Sequence, residues 1–86
     1  MRKDFVIAND QGVHARPATT LVKKANEFNS KITLHHENKS VDLKSIMGVL
    51  SLGIHRGSLI TIEAEGEDAQ AALRALTDLI NDFNLQ

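Results

Sequence analysis

Within residues 59–65, Leu-Ile-Thr-Ile-Glu-Ala-Glu, apolar and polar side chains alternate from Ile60 onward. Successive side chains of an extended chain point to opposite faces. Ile60, Ile62 and Ala64 therefore share one face, and Thr61, Glu63 and Glu65 share the other. A strand with one dry and one wet face belongs to a sheet covered on one side only. That geometry implies an antiparallel sheet with its helices on a single face.

The rest of the chain supplies matching parts. Phe5-Val6-Ile7-Ala8 is a β-rich run closed by the turn-forming group Asn9-Asp10-Gln11-Gly12. From Pro17 to about Phe28, apolar residues recur at Ala18, Leu21, Val22, Ala25 and Phe28, the spacing of one buried helix face. Lys31–His36 alternates, Glu37-Asn38-Lys39 is a polar turn, and Val41 and Leu43 alternate again, so this stretch reads as a β-hairpin. Ser45 to Leu52 is a helix of two turns at most, between an N-cap serine and the stop residue Gly53. After a turn at Gly57-Ser58 and the strand already described, Ala69, Ala72, Leu73, Leu76, Ile80 and Phe83 stripe a long helix over Asp68–Phe83. The expected order is β-α-β-β-α-β-α. The fold class is α+β, an open-faced sandwich of a four-stranded antiparallel sheet covered on one face by three helices, in one domain spanning residues 1–86.

Composition narrows the function. With 86 residues, the chain buries only roughly 60% of its unfolded surface and builds one small core. A net charge of −1 gives no electrostatic case for nucleic acid or an anionic membrane, and three Phe with no Tyr or Trp offer no base-stacking platform. The absence of Cys excludes disulfides, thiolate metal sites and a Cys nucleophile. No apolar run approaches the roughly 20 residues of a membrane span, and Met1-Arg2-Lys3 leads into a charged strand pattern rather than a signal peptide. The expected location is the cytoplasm.

Chemistry concentrates in Gly12-Val13-His14-Ala15-Arg16-Pro17-Ala18. Pro17, the only proline, reads as the first residue of a helix, where its missing N–H costs little. His14 lies just ahead of that helix, whose positive N-terminal end favours anions, and Arg16 adds a guanidinium. A neutral imidazole is a nucleophile, so a phosphoryl group could be held covalently here and its charge neutralised. Each residue also has a plain reading: a surface His, a solvated Arg, a helix-starting Pro.

Ser45-Ile46-Met47-Gly48-Val49-Leu50 is the second candidate. Ser45 at an N-cap needs no function, yet a helix N-terminus also tolerates a phosphoserine. Ile46, Met47, Val49, Leu50 and Leu52 cannot all face inward on two turns. Either some form an exposed, adaptable docking patch, or the segment caps the core edge. His35 and His36 are neighbours on a strand, point to opposite faces and cannot chelate together. With His55 they make no case for a metal.

Together with Lys39-Ser40-Val41-Asp42-Leu43-Lys44-Ser45-Ile46-Met47-Gly48-Val49-Leu50-Ser51-Leu52-Gly53, the His14 motif resembles the HPr family. These are the histidine-containing phosphocarriers of the bacterial phosphoenolpyruvate-dependent sugar phosphotransferase system. The likeness covers essentially the whole chain in element order and length. It implies that His14 accepts a phosphoryl group on Nδ1 from enzyme I and passes it to sugar-specific enzyme IIA components. Arg16 would stabilise the phosphoryl group beside the helix start at Pro17. The resemblance also implies regulatory phosphorylation of Ser45 by HPr kinase/phosphorylase, read by catabolite control protein, as in the Gram-positive type. Thr19, Lys23, Ile46, Met47 and Leu50 match the family's docking surface. The implied protein is a monomeric carrier without cofactor or metal, not an enzyme by itself. Two alternatives are a regulatory paralogue and a nitrogen-branch paralogue. Retention of His14 weighs against the first, and the Ser45-Ile46-Met47-Gly48 context weighs against the second. His55-Arg56 departs from the family's pattern.

Overall fold

A computed structural model describes residues 1–85 as β1 (Arg2–Val6), α1 (Ala15–Ala25), β2 (Lys31–His36), β3 (Lys39–Asp42), α2 (Ile46–Ser51), β4 (Leu59–Glu65) and α3 (Ala69–Asn84). The expected domain reached residue 86; Gln86 lies outside the described residues. The strands form one antiparallel sheet in the order β1-β4-β2-β3. The architecture is the open-faced α+β sandwich that the alternation of residues 59–65 requires.

Register explains how the core closes. Ile60 stands opposite Phe5 of β1 and His36 of β2, Ile62 opposite Leu34, and Ala64 opposite Ile32. All of these are buried, as are Leu21 and Val22 of α1 and Leu73, Leu76 and Ile80 of α3, which belong to the same core cluster. Each fully buried Leu or Ile contributes about 1.5–3 kcal/mol against exposure. The other face is wet and tied by side chains. Thr61 donates to Asp4 Oδ1 at 2.6 Å, and the His35 ring bridges three strands, with Nδ1 2.7 Å from Ser40 Oγ and Nε2 3.0 Å from Glu63 Oε1. The hydrogen bond from His35, helped by the charge of Arg2, holds the Glu63 carboxyl below its usual pKa. His36 turns the opposite way and is buried.

Boundaries shift where the hydrophobic signal is silent. β1 covers Arg2–Val6, not Phe5–Ala8, because backbone pairing with Leu59–Glu63 defines it. Ile7 leaves the ladder but still exchanges hydrogen bonds with the loop before β4, donating to Ser58 O at 2.9 Å and accepting from Gly57 N–H at 2.7 Å. α1 ends at Ala25, not Phe28. Asn26 stops it by donating from Nδ2 to Val22 O at 2.8 Å, and Phe28 packs on the core from the following turn. α1 also begins two residues before Pro17, which is its third residue. A proline there is harmless because the first four helical N–H groups have no partner within the helix. Asp68 caps the start of α3 in position only. Its carboxylate reaches across to accept from the N–H groups of Asn29 at 2.8 Å and Ser30 at 2.9 Å and from the Ser30 hydroxyl.

Candidate functional site

The segment between β1 and α1 is held by a turn of its own and by backbone contact to the loop before β4. Gly12 N–H donates to Asn9 O at 3.3 Å, and Val13 N–H donates to Ile54 O at 3.1 Å, burying Val13. His14 follows in extended conformation as the N-cap residue of α1, with φ −92° and ψ −168°. Its carbonyl accepts from Ala18 N–H at 3.0 Å, while its exposed ring makes no capping hydrogen bond. The N–H groups of Ala15 and Arg16 precede the first intrahelical donor, Pro17 has none, and no acidic residue lies in the first turn. An imidazole nitrogen and a helix N-terminus thus share one spot, where the backbone favours negative charge.

Around that spot lies an open depression of 820 Å³, lined by Asp10, His14, Arg16, Pro17, Thr20 and Phe83 among others. Arg16 is exposed, and none of the ion pairs among the described residues engages its guanidinium. The Thr20 hydroxyl is already committed to Arg16 O at 3.1 Å, and that of Thr19 to Ala15 O at 2.7 Å. The structure thus brings His14, Arg16 and Pro17 together. Lys23 is exposed further along α1, whose face packs against α2.

Ser45 does not line this depression; it caps the second helix. Its side chain accepts from Gly48 N–H at 3.1 Å, and Gly53 follows the C-terminus with φ +62°. Val49 and Leu52 point into the core, Ile46 is half-buried against it, and Met47 and Leu50 remain 77% and 40% exposed. The excess apolar character of this short helix therefore emerges as a surface patch. His35, His36 and His55 border a separate depression around Arg2 and Thr61. Sequence reasoning passed over two contacts: Asp10 in the lining of the depression, paired with Arg56 at 2.8 Å, and, at the end of β1, Asn84, which accepts from Ala8 N–H at 2.8 Å and donates to Val6 O at 3.0 Å. Only the unusual His55-Arg56 pair hinted at the first.

These features coincide with a known family. The family model described as the PTS HPr component phosphorylation site matches residues 1–82, and the chain belongs to that family of phosphotransferase-system phosphocarriers. HPr from Thermoanaerobacter tengcongensis is 41% identical, with 100% of this chain and 97% of that one covered and a TM-score of 0.94. The histidine-containing phosphocarrier protein of Mycoplasma is 40% identical, with 99% and 97% covered and a TM-score of 0.95. The Bacillus subtilis catabolite repression protein Crh is 39% identical, with 95% and 94% covered and a TM-score of 0.76; it is described as an intertwined dimer with a swapped domain. No helix among the described residues is long and apolar enough to cross a membrane.

Proposed function

We propose that His14 takes a phosphoryl group from phosphorylated enzyme I and hands it to enzyme IIA components during sugar uptake. The observation that carries this reading is the unengaged His14 ring at the N-cap of α1, beside Arg16 and the free first-turn N–H groups. A P–N bond forms at His14 Nδ1 as the donor's bond to phosphorus breaks. Arg16 and the N–H groups of Ala15 and Arg16 then meet the phosphoryl oxygens with charge-assisted hydrogen bonds. The one carboxylate in the lining, Asp10, is paired with Arg56, and no second imidazole lies there, so in this reading the partners complete the catalytic site. In this reading the chain is a cytoplasmic carrier, not a self-sufficient enzyme, and works as a monomer. Light scattering on the purified chain tests the last point.

Incubation with phosphoenolpyruvate and enzyme I, followed by mass spectrometry, tests the reading. An acid-labile, base-stable label at His14 that is absent from His14→Ala supports it. An acid-stable label, or wild-type transfer in His14→Ala, overturns it. A regulatory role is a second reading, favoured by the exposed N-cap hydroxyl of Ser45 and the likeness to Crh. Ser45 would be phosphorylated by HPr kinase/phosphorylase and recognised by catabolite control protein. Incubation with that kinase and ATP, with Ser45→Ala as control, decides it.

A further inference from the structure

Apart from His14, the ionisable side chains lining the His14 depression are Asp10 and Arg16. They carry opposite charges, so an unscreened Asp10 cancels what Arg16 offers an incoming dianion. The structure shows what answers Asp10. Arg56 Nη1 donates to Asp10 Oδ1 at 2.8 Å across a sequence separation of 46 residues. Arg56 does not itself line the depression. Its loop is fixed against the His14 segment by backbone on both sides: Val13 N–H to Ile54 O at 3.1 Å, Gly57 N–H to Ile7 O at 2.7 Å, and Ile7 N–H to Ser58 O at 2.9 Å. The backbone that carries Arg56 is therefore fixed against the segment that carries Asp10, and only the two side chains have to meet.

We propose that Arg56 is a positioning residue for phosphoryl acceptance: by neutralising Asp10, it keeps the field at His14 positive enough to hold the phosphoryl group. This rests on the phosphocarrier reading of His14. The pair is open to solvent, with 68% and 84% of the two side chains exposed, so its stability value is small and its influence is screened by salt. Its effect is on a nearby dianion, where the difference between a bare and a paired carboxylate acts directly. Arg56 in this role makes no contact with the reacting atoms and works through Asp10.

The test compares wild type, Arg56→Gln, Arg56→Lys, Asp10→Asn and the Asp10→Asn/Arg56→Gln double variant. Initial rates of His14 phosphorylation are measured with enzyme I plus phosphoenolpyruvate, and separately with phosphoramidate. In the second reaction the small donor's P–N bond breaks, ammonia leaves, and a P–N bond forms at His14. Arg56→Gln should slow both reactions about threefold at low salt, in keeping with the strength of exposed charge pairs. Arg56→Lys should retain most of the rate. Asp10→Asn should abolish the sensitivity to Arg56, and high salt should erase the differences. Equal rates in wild type and Arg56→Gln overturn the inference while the phosphocarrier reading stands. The same loss in the Asp10→Asn background also overturns it. So does a loss with enzyme I alone, which makes Arg56 a docking residue. A wild-type chain that reacts with neither donor at His14 overturns the phosphocarrier reading and this inference with it.

Discussion

Gly12 lies so close to His55 that a β-carbon at position 12 would sit 2.5 Å from His55 Cα, and the same distance from Ile54 O. Both neighbours are backbone, and Gly12 has φ +64°, where side-chain-bearing residues are strained. Gly12→Ala should therefore lose about 1–3 kcal/mol of stability, since neither loop can step aside cheaply. It should also impair phosphorylation at His14, which Val13 connects to this contact. Urea denaturation and enzyme I kinetics on one sample check both. An unchanged denaturation midpoint would show that the two loops are not locked together.

Ser45→Ala removes the acceptor for Gly48 N–H. An N-cap truncation of this kind costs about 1 kcal/mol. Ser45→Asp keeps an acceptor and adds negative charge at the positive end of α2, so its Tm should match or exceed that of wild type. If Ile46 and Met47 belong to the surface that meets enzyme I, the same charge beside them should weaken phosphorylation at His14 through repulsion and desolvation. A variant that unfolds, or one with unchanged enzyme I kinetics, contradicts the double role of this segment.

Met47 is mostly exposed, so Met47→Glu should alter stability by no more than about 0.5 kcal/mol. Phosphoryl transfer with enzyme I should nevertheless slow at subsaturating carrier, while the reaction with phosphoramidate stays at the wild-type rate. Equal slowing with both donors would place the effect at His14 rather than at a partner interface.

Asp68 gives a pH signature. The Ser30 hydroxyl first, then the backbone N–H of Asn29, holds its carboxyl below the usual aspartate value. Because the folded-state pKa is the lower one, the resulting stabilisation is complete above the unfolded value of about 3.9 and disappears as pH falls through the folded value. The Tm of wild type should therefore drop more steeply than that of Asp68→Asn on acidification below about pH 4. Parallel Tm profiles for the two proteins would refute the assignment.

Alternation and helical stripes made the sheet, its dry face and α3 legible, because burial selects side chains there. β1 was only half legible. Arg2, Lys3 and Asp4 are exposed, and their strand character comes from hydrogen bonds to β4 that leave no mark on composition. The start of α1 was misplaced because proline is equally compatible with several first-turn positions. His14, Arg16 and Ser45 could be found from local chemistry and family likeness. Asp10–Arg56 and Asp68–Ser30 could not, because they join residues 46 and 38 positions apart, and the departure at His55-Arg56 did not say which residue Arg56 meets.

The amide of Asn84 grips both Ala8 N–H and Val6 O, while its neighbour Phe83 borders the depression that holds His14. The last turn of α3 is thereby wired to the segment that leads into His14. That makes it a built-in reporter. In nitrogen-15-enriched protein, the side-chain amide resonances of Asn84 stand apart from the crowded backbone signals and should shift if His14 gains and loses a phosphoryl group, with no reporter group attached.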